Sequence, residues 1–284
     1  MGYSLSLTAD LSAEVSRVER QELEQAYAEL ETPDARAVHE ARKHLKKLRA
    51  LLEAVRPSLN HAAHEQRKAQ LRSAADALAG ARDRAALGES FDRLADSMSG
   101  RALDVSLDGL AKVRGLLFAG APPEAENVSR ARELLVTLLS SVEERRLELD
   151  VRQLVKGVAD TYGRGRKRFR GLRADASGEA FHDLRRQVKH HQHHLALVEQ
   201  AWPDLMAARR GEAQRLSETL GRHHDLMLLE MSLAGLPSEP DSAAALEAAR
   251  LHVPLQRAEL EAVSYTHLRA HETKANLVCR LLLE

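Results

Sequence analysis

Apolar positions along this chain recur at intervals of three and four, the period of an amphipathic helix, and no stretch alternates with the two-residue period of a strand. Residues 10–31 carry Val15, Val18, Leu23, Ala26 and Leu30 on one stripe, with Asp10 or Ser12 placed to cap the N-terminus. Thr32-Pro33-Asp34 breaks this segment. A second runs from about 34 to 56 and stops before Pro57, because a proline disfavours helical backbone in the residue ahead of it. The spacing predicts further helices over about 60–80, 81–98 and 100–118. Gly120-Ala121-Pro122-Pro123 reads as a linker, after which helical patterning resumes near 124. A glycine-punctuated basic stretch, Tyr162 to Arg168, precedes helices over about 178–200 and 205–234, the first of them ending at Trp202-Pro203. The expected class is all-α.

One pattern occurs twice. Val38-His39-Glu40-Ala41-Arg42-Lys43 corresponds to Phe181-His182-Asp183-Leu184-Arg185-Arg186. Each copy opens a helix that ends just before a proline, Pro57 or Pro203. Each is followed by a helix with a glycine-to-aspartate ending, Gly80 to Asp83 and Gly221 to Asp225. Tandem copies of one helical unit predict two helical-bundle repeats with pseudo-two-fold symmetry, over 1–120 and 121–263.

At about 100° per residue, Val38, Ala41, Leu45, Leu48, Leu52 and Val55 form a core stripe in the first copy. His39, Arg42, Lys43, Lys46 and Ala50 fall beside it, flanked by Lys47 and Arg49. In the second copy Phe181, Leu184, Val188, Leu195 and Val198 face inward. His182, Arg185, Arg186, Lys189 and His193 make the basic stripe, flanked by His190. Like charges three and four apart repel by roughly 0.2–0.5 kcal/mol per pair. A solvated basic face is the ordinary fate of such a run, but duplication in register with histidine at the head both times points to an anionic polymer. Arginine offers such a ligand a planar fork, lysine a compact charge, and histidine up to two N–H donors.

Composition narrows how such a site can arise. The 284 residues include 42 Lys and Arg against 42 Asp and Glu, so the net charge is zero and any polyanion site must come from segregation of charge. Aromatics make up 3% and charged residues 30%, which suits long helices. Cys279 is the only cysteine, so an intramolecular disulfide is excluded and a reducing cytosol is the expected home. No apolar run is long enough for a membrane helix, and the residues after Met1 lack the features of a signal peptide.

The spaced pair His-x-x-Arg-x-x-x-(Arg/Lys)-(Arg/Lys)-x-Arg resembles the motif of the CHAD (conserved histidine α-helical) domain family. His39, Arg42, Lys46, Lys47 and Arg49 match it throughout; His182, Arg185, Lys189 and His190 match, but Gln192 stands where the last arginine is expected. Tyr162, Gly165 and Arg166 resemble a further family segment, and the likeness covers about residues 10–263. It implies two four-helix halves around a basic groove that binds inorganic polyphosphate, with no catalysis and no cofactor. Under that reading Arg164, Arg166 and Lys167 join the groove, and the arginine missing at Gln192 either weakens that half of it or passes its role to Arg164, Lys167 and Arg170. A mobile basic loop is the alternative for this stretch. Localisation is expected to be cytoplasmic, at polyphosphate granules.

Rival readings rest on fewer residues. His190 and His194, four apart, with His193, His223 and His224, suggest a divalent-metal site, but no acidic residue accompanies them in a familiar spacing. His191, on the core stripe, reads as a packed residue. Hydrolysis finds no support: Glu29-Leu30-Glu31 lacks the lysine of a triphosphatase Glu-x-Glu-x-Lys, and no phosphate-binding glycine loop or magnesium-holding carboxylate pair occurs. Base-specific nucleic-acid binding is not expected, since no aromatics interleave the basic stripes. From Ser264 the chain resembles translated sequencing-adapter readthrough, so 264–284 is expected to be a non-native tail and carries no functional weight.

Overall fold

A computed structural model of the chain describes the backbone of residues 2–100, 106–118, 124–144, 147–172 and 176–281; side chains at 81–85, 99–100, 124–125, 143–144 and 267–281 fall outside the description. Among the described residues the regular structure is entirely helical: α1 (Leu11–Glu29), α2 (Ala35–Ala54), α3 (His61–Ala77), α4 (Ala79–Gly100), α5 (Leu107–Phe118), α6 (Glu124–Glu144), α7 (Val151–Gly171), α8 (Gly178–Leu197), α9 (Pro203–Ala234) and α10 (Ala243–Leu281). The all-α expectation holds. The linker expected at Gly120–Pro123 lies outside the described residues, as does most of the side-chain content of the tail beyond Ser264.

Local chemistry accounts for the helix starts. The Asp10 carboxylate accepts from the Ser12 amide, and Asp34 and Asn60 accept from the Ala37 and Ala63 amides. At α7 Asp150 and Gln153 cap each other's backbone amides reciprocally. Pro203 opens α9 at the first helical position, where its missing N–H has no partner to lose.

The chain packs as two compact units, each discontinuous in sequence. Unit 1 comprises 1–82, 123–175 and 183–217; unit 2 comprises 83–122, 176–182 and 218–284. These units cut across the halves drawn at 1–120 and 121–263; the repeat boundaries are a matter of sequence register, which packing does not decide. In unit 1, α1, α2, α3 and α6 bury a core that includes Leu23, Leu45, Leu71 and Leu135, and α7 packs on the other side of α2. All six apolar residues assigned to the α2 stripe are buried there. In unit 2, α4, α5, the later part of α9 and the start of α10 enclose Phe91, Val113, Leu229 and Leu246.

The basic stretch at 162–168 is a continuous part of α7, so the loop alternative is overturned. Packing explains why its glycines do not break the helix. A Cβ added at Gly157 would lie 1.9 Å from the Ala54 carbonyl oxygen, and one at Gly165 3.3 Å from Gln187 Cβ. Small residues thus let α7 approach α2 and α8 closely, and this packing outweighs the low helix propensity of glycine.

Candidate functional site

Unit 1 contains all of α2 and α7 and α8 from Asp183 onward, so it holds most of the basic positions from both sequence copies. On α2, Arg42 donates from Nη1 to the Ala75 carbonyl at 2.9 Å, which anchors it against α3. Lys43 is exposed and pairs with Glu40 at 2.7 Å, on the outside of the helix. Lys46 and Arg49 are half-buried. Lys47 reaches the buried Glu22 carboxylate at 3.0 Å, sharing it with His44 Nδ1 at 2.6 Å. Tyr3 closes this corner: its hydroxyl donates to the Lys47 carbonyl at 2.8 Å and the Lys47 ammonium lies 5.4 Å from its ring centre. Burial, reinforced by the negative Glu22, raises the Tyr3 pKa well above its usual value.

The cations of α8 meet those of α2. Burial pushes the Arg49 pKa down, and next in weight is the positive Arg186 of α8, with Arg72 and Arg42 adding to it while Asp76 opposes. His193 is lowered to about 3, first by burial and then by Lys189, His194, Lys47 and Lys46. His190 falls well below its ordinary value through burial, then His194, Arg49, His193 and Arg186. Both imidazoles are therefore neutral near pH 7, and each can donate one N–H rather than bring a charge. Buried nitrogens on each, Nδ1 of His190 and Nε2 of His193, have no hydrogen-bond partner in the protein.

The structure gives the remaining assigned residues different surroundings. Arg186 pairs with Asp183, a carboxylate that also lies 3.5 Å from Arg168. Lys189 donates to Gln192 at 3.0 Å, so the residue standing where an arginine was expected serves as an acceptor for the neighbouring cation. Arg164 reaches across to Glu53 of α2 at 2.6 Å and to the Thr161 hydroxyl at 2.9 Å, which ties α7 to α2. Arg166 is half-buried and Lys167 exposed on the same helix. His39 and Arg185 are half-buried on the second and third turns of their helices. His182 belongs to unit 2, where its ring lies 4.6 Å from that of His224 with the two Nδ1 atoms 3.3 Å apart.

His194 is fully buried, and its Nε2 lies 2.7 Å from the Ala50 carbonyl. A carbonyl only accepts, so Nε2 carries the proton. Burial, opposed by that hydrogen bond, lowers its pKa to about 4. This hydrogen bond docks α8 on α2. His191 packs its ring 5.2 Å from Tyr162. Among the described residues no three His, Cys, Asp or Glu side chains come together to hold a metal ion. Arg72 of α3, which joins the cationic surroundings of Arg49, went unnoticed in the sequence because it lies outside the repeated motif. Glu22 and Glu53, which bind Lys47 and Arg164, were missed likewise.

A protein-family model, the CHAD domain, matches residues 15–234. The crystal structure of the CHAD domain from the plant Ricinus communis superposes with a TM-score of 0.63 at 17% identity, over 95% of this chain and 94% of that one. PptA from Streptomyces chartreusis superposes with a TM-score of 0.62 at 15% identity, over 90% of this chain and 98% of the other. No curated protein matches the chain.

Proposed function

Because the chain belongs to the CHAD domain family, we propose that it binds inorganic polyphosphate in a basic groove formed by α2 and α8, holding the polymer without cleaving it. The observation that carries this reading is the juxtaposition of Arg42, Lys46, Lys47 and Arg49 with Arg186, Lys189, His190 and His193. Cations held this close repel one another even where Glu22 and Asp183 pair with individual members, and a phosphate chain laid along them relieves that repulsion. The family's association with polyphosphate selects this polymer among polyanions. The two His-x-x-Arg helices are, on the same reading, equivalent parts of a repeated unit. Nucleic acid shares the phosphate chemistry, but no Phe, Tyr or Trp is interleaved with the basic positions of the two stripes, which disfavours base stacking. No described helix is long and apolar enough to cross a membrane. The proposed setting is the cytoplasm, at polyphosphate granules.

Not every assigned cation contributes equally. Lys47 and Arg164 neutralise Glu22 and Glu53, and Lys46 and Lys189 bring positive charge to His193 from both helices. Titration of polyphosphate of defined length into the Lys46→Glu, Lys189→Glu double variant is expected to give at least tenfold weaker binding with unchanged helicity. Its log affinity against log salt should be shallower by roughly 0.7 for each phosphate that the protein no longer neutralises. Retained affinity would overturn the assignment.

A further inference from the structure

Unit 2 has a polar cavity of its own, of about 90 Å³, lined by Ser90, Arg93 and Ser97 of α4, Arg222 and Leu226 of α9, and Gln256 of α10. Nothing in the polyphosphate reading uses it. Two guanidinium groups border it, and no carboxylate is among its lining residues. Arg93 is paired with Glu89 at 4.0 Å, a carboxylate that is itself largely exposed.

The neutral groups are arranged as donors. Ser90 is 2% exposed, and its Oγ accepts from Arg93 Nη2 at 3.0 Å, which leaves the hydroxyl proton to be given elsewhere. Gln256 donates one amide hydrogen to Ser97 Oγ and retains a second. Ser97 Oγ also lies 3.1 Å from Nε2 of the buried His252, so the hydroxyl position is fixed from two sides.

We infer that this cavity binds a single tetrahedral phosphate oxyanion. A cation is disfavoured by Arg93 and Arg222. A neutral ligand would make no use of the two guanidinium charges that border the cavity. A phosphate oxyanion instead matches the arginine fork and accepts from the Ser90 hydroxyl and the Gln256 amide. The small volume holds one such group rather than a length of polymer. The group can be free orthophosphate or the terminal phosphate of a short chain, which present the same oxygens to these donors.

Calorimetric titration of the full chain with inorganic orthophosphate, and separately with tripolyphosphate, at constant ionic strength tests this. In the Arg93→Gln, Arg222→Gln variant, affinity for at least one of the two is expected to fall tenfold or more. The Lys46→Glu, Lys189→Glu variant should retain that same binding. Loss confined to orthophosphate assigns the free ion, and loss confined to tripolyphosphate assigns the chain end. Arg222 is exposed, so the single Arg222→Gln variant keeps the test valid if the double variant unfolds. If neither ligand binds, the inference is overturned. It is equally overturned if binding survives Arg93 and Arg222 substitution but is lost with Lys46 and Lys189. Both outcomes leave the polymer reading to be judged by its own titration.

Discussion

Glu19 and Glu22 stand one turn apart on α1, each buried and each holding cations from a neighbouring helix. Glu22 holds Lys47 and His44. Glu19 takes Arg67 of α3 at 2.6 Å, and that guanidinium also donates to the Ser141 hydroxyl and the Leu138 carbonyl. The Arg67–Glu19 side chains are each only 8% exposed, so removing one partner strands a charge in the core. Arg67→Met is expected to destabilise the protein by about 3–5 kcal/mol, read as a lowered urea midpoint. Adding Glu19→Leu should recover most of that loss, because the stranded carboxylate goes with it. An Arg67→Met variant as stable as the parent would show that the carboxylate is reached by water. These two acids also show where reading the sequence stops. The stripes on α2 and α8 follow from period alone, but which lysine is neutralised by a carboxylate depends on a helix whose register against α2 no local pattern encodes.

At the scale of elements, α7 is the helix that the sequence hid and the packing made. Its glycines and its run of arginines read as a loop as well as a helix, since propensity is judged one residue at a time. Local and tertiary contacts settle it together: the capping box at Asp150, the close approach at Gly157, and the Arg164–Glu53 pair. Gly157→Ala raises intrinsic helix propensity yet drives a methyl group into the Ala54 carbonyl. The expected result is a loss of about 1–3 kcal/mol on thermal unfolding, with weaker polyphosphate binding because α2 shifts beneath its cations. A stability gain would mean that α7 docks elsewhere. By contrast α1, α2 and α8 were legible almost to their termini, because a long apolar stripe and a capping side chain agree there.

At the scale of the molecule, a chain with no net charge assembles a cationic patch by sorting, and buried histidines make that patch sensitive to pH. An imidazole with a pKa lowered on folding binds its proton more weakly in the folded state than in the unfolded one. Its stabilising contribution is complete above the unfolded value of about 6.5 and is lost as pH falls toward about 4 at His194 and about 3 at His193. The urea midpoint is expected to drop between pH 6.5 and 4, and His193→Gln should flatten that dependence. Bound polyphosphate favours the protonated ring, so it should also reduce the drop in the parent protein. An identical pH profile for parent and variant would exclude His193 from the titration. The two copies of the motif were legible in the sequence. That most of both would enter one compact unit was not, because unit membership is set by long-range packing and not by the motif.

The interleaving of the two units also has a consequence for how the protein is made. Unit 1 draws on residues 1–82 but is completed only by 183–217, and unit 2 draws its last segment from 218 onward. A ribosome releasing the chain from its N-terminus therefore delivers α2 long before α8. Between them come 83–122 of unit 2 and 123–175 of unit 1. Neither unit can fold vectorially, and closure of these long loops places the assembled cationic surface late in folding. A nascent chain that stops short of α8 thus lacks every cation that α8 contributes to unit 1.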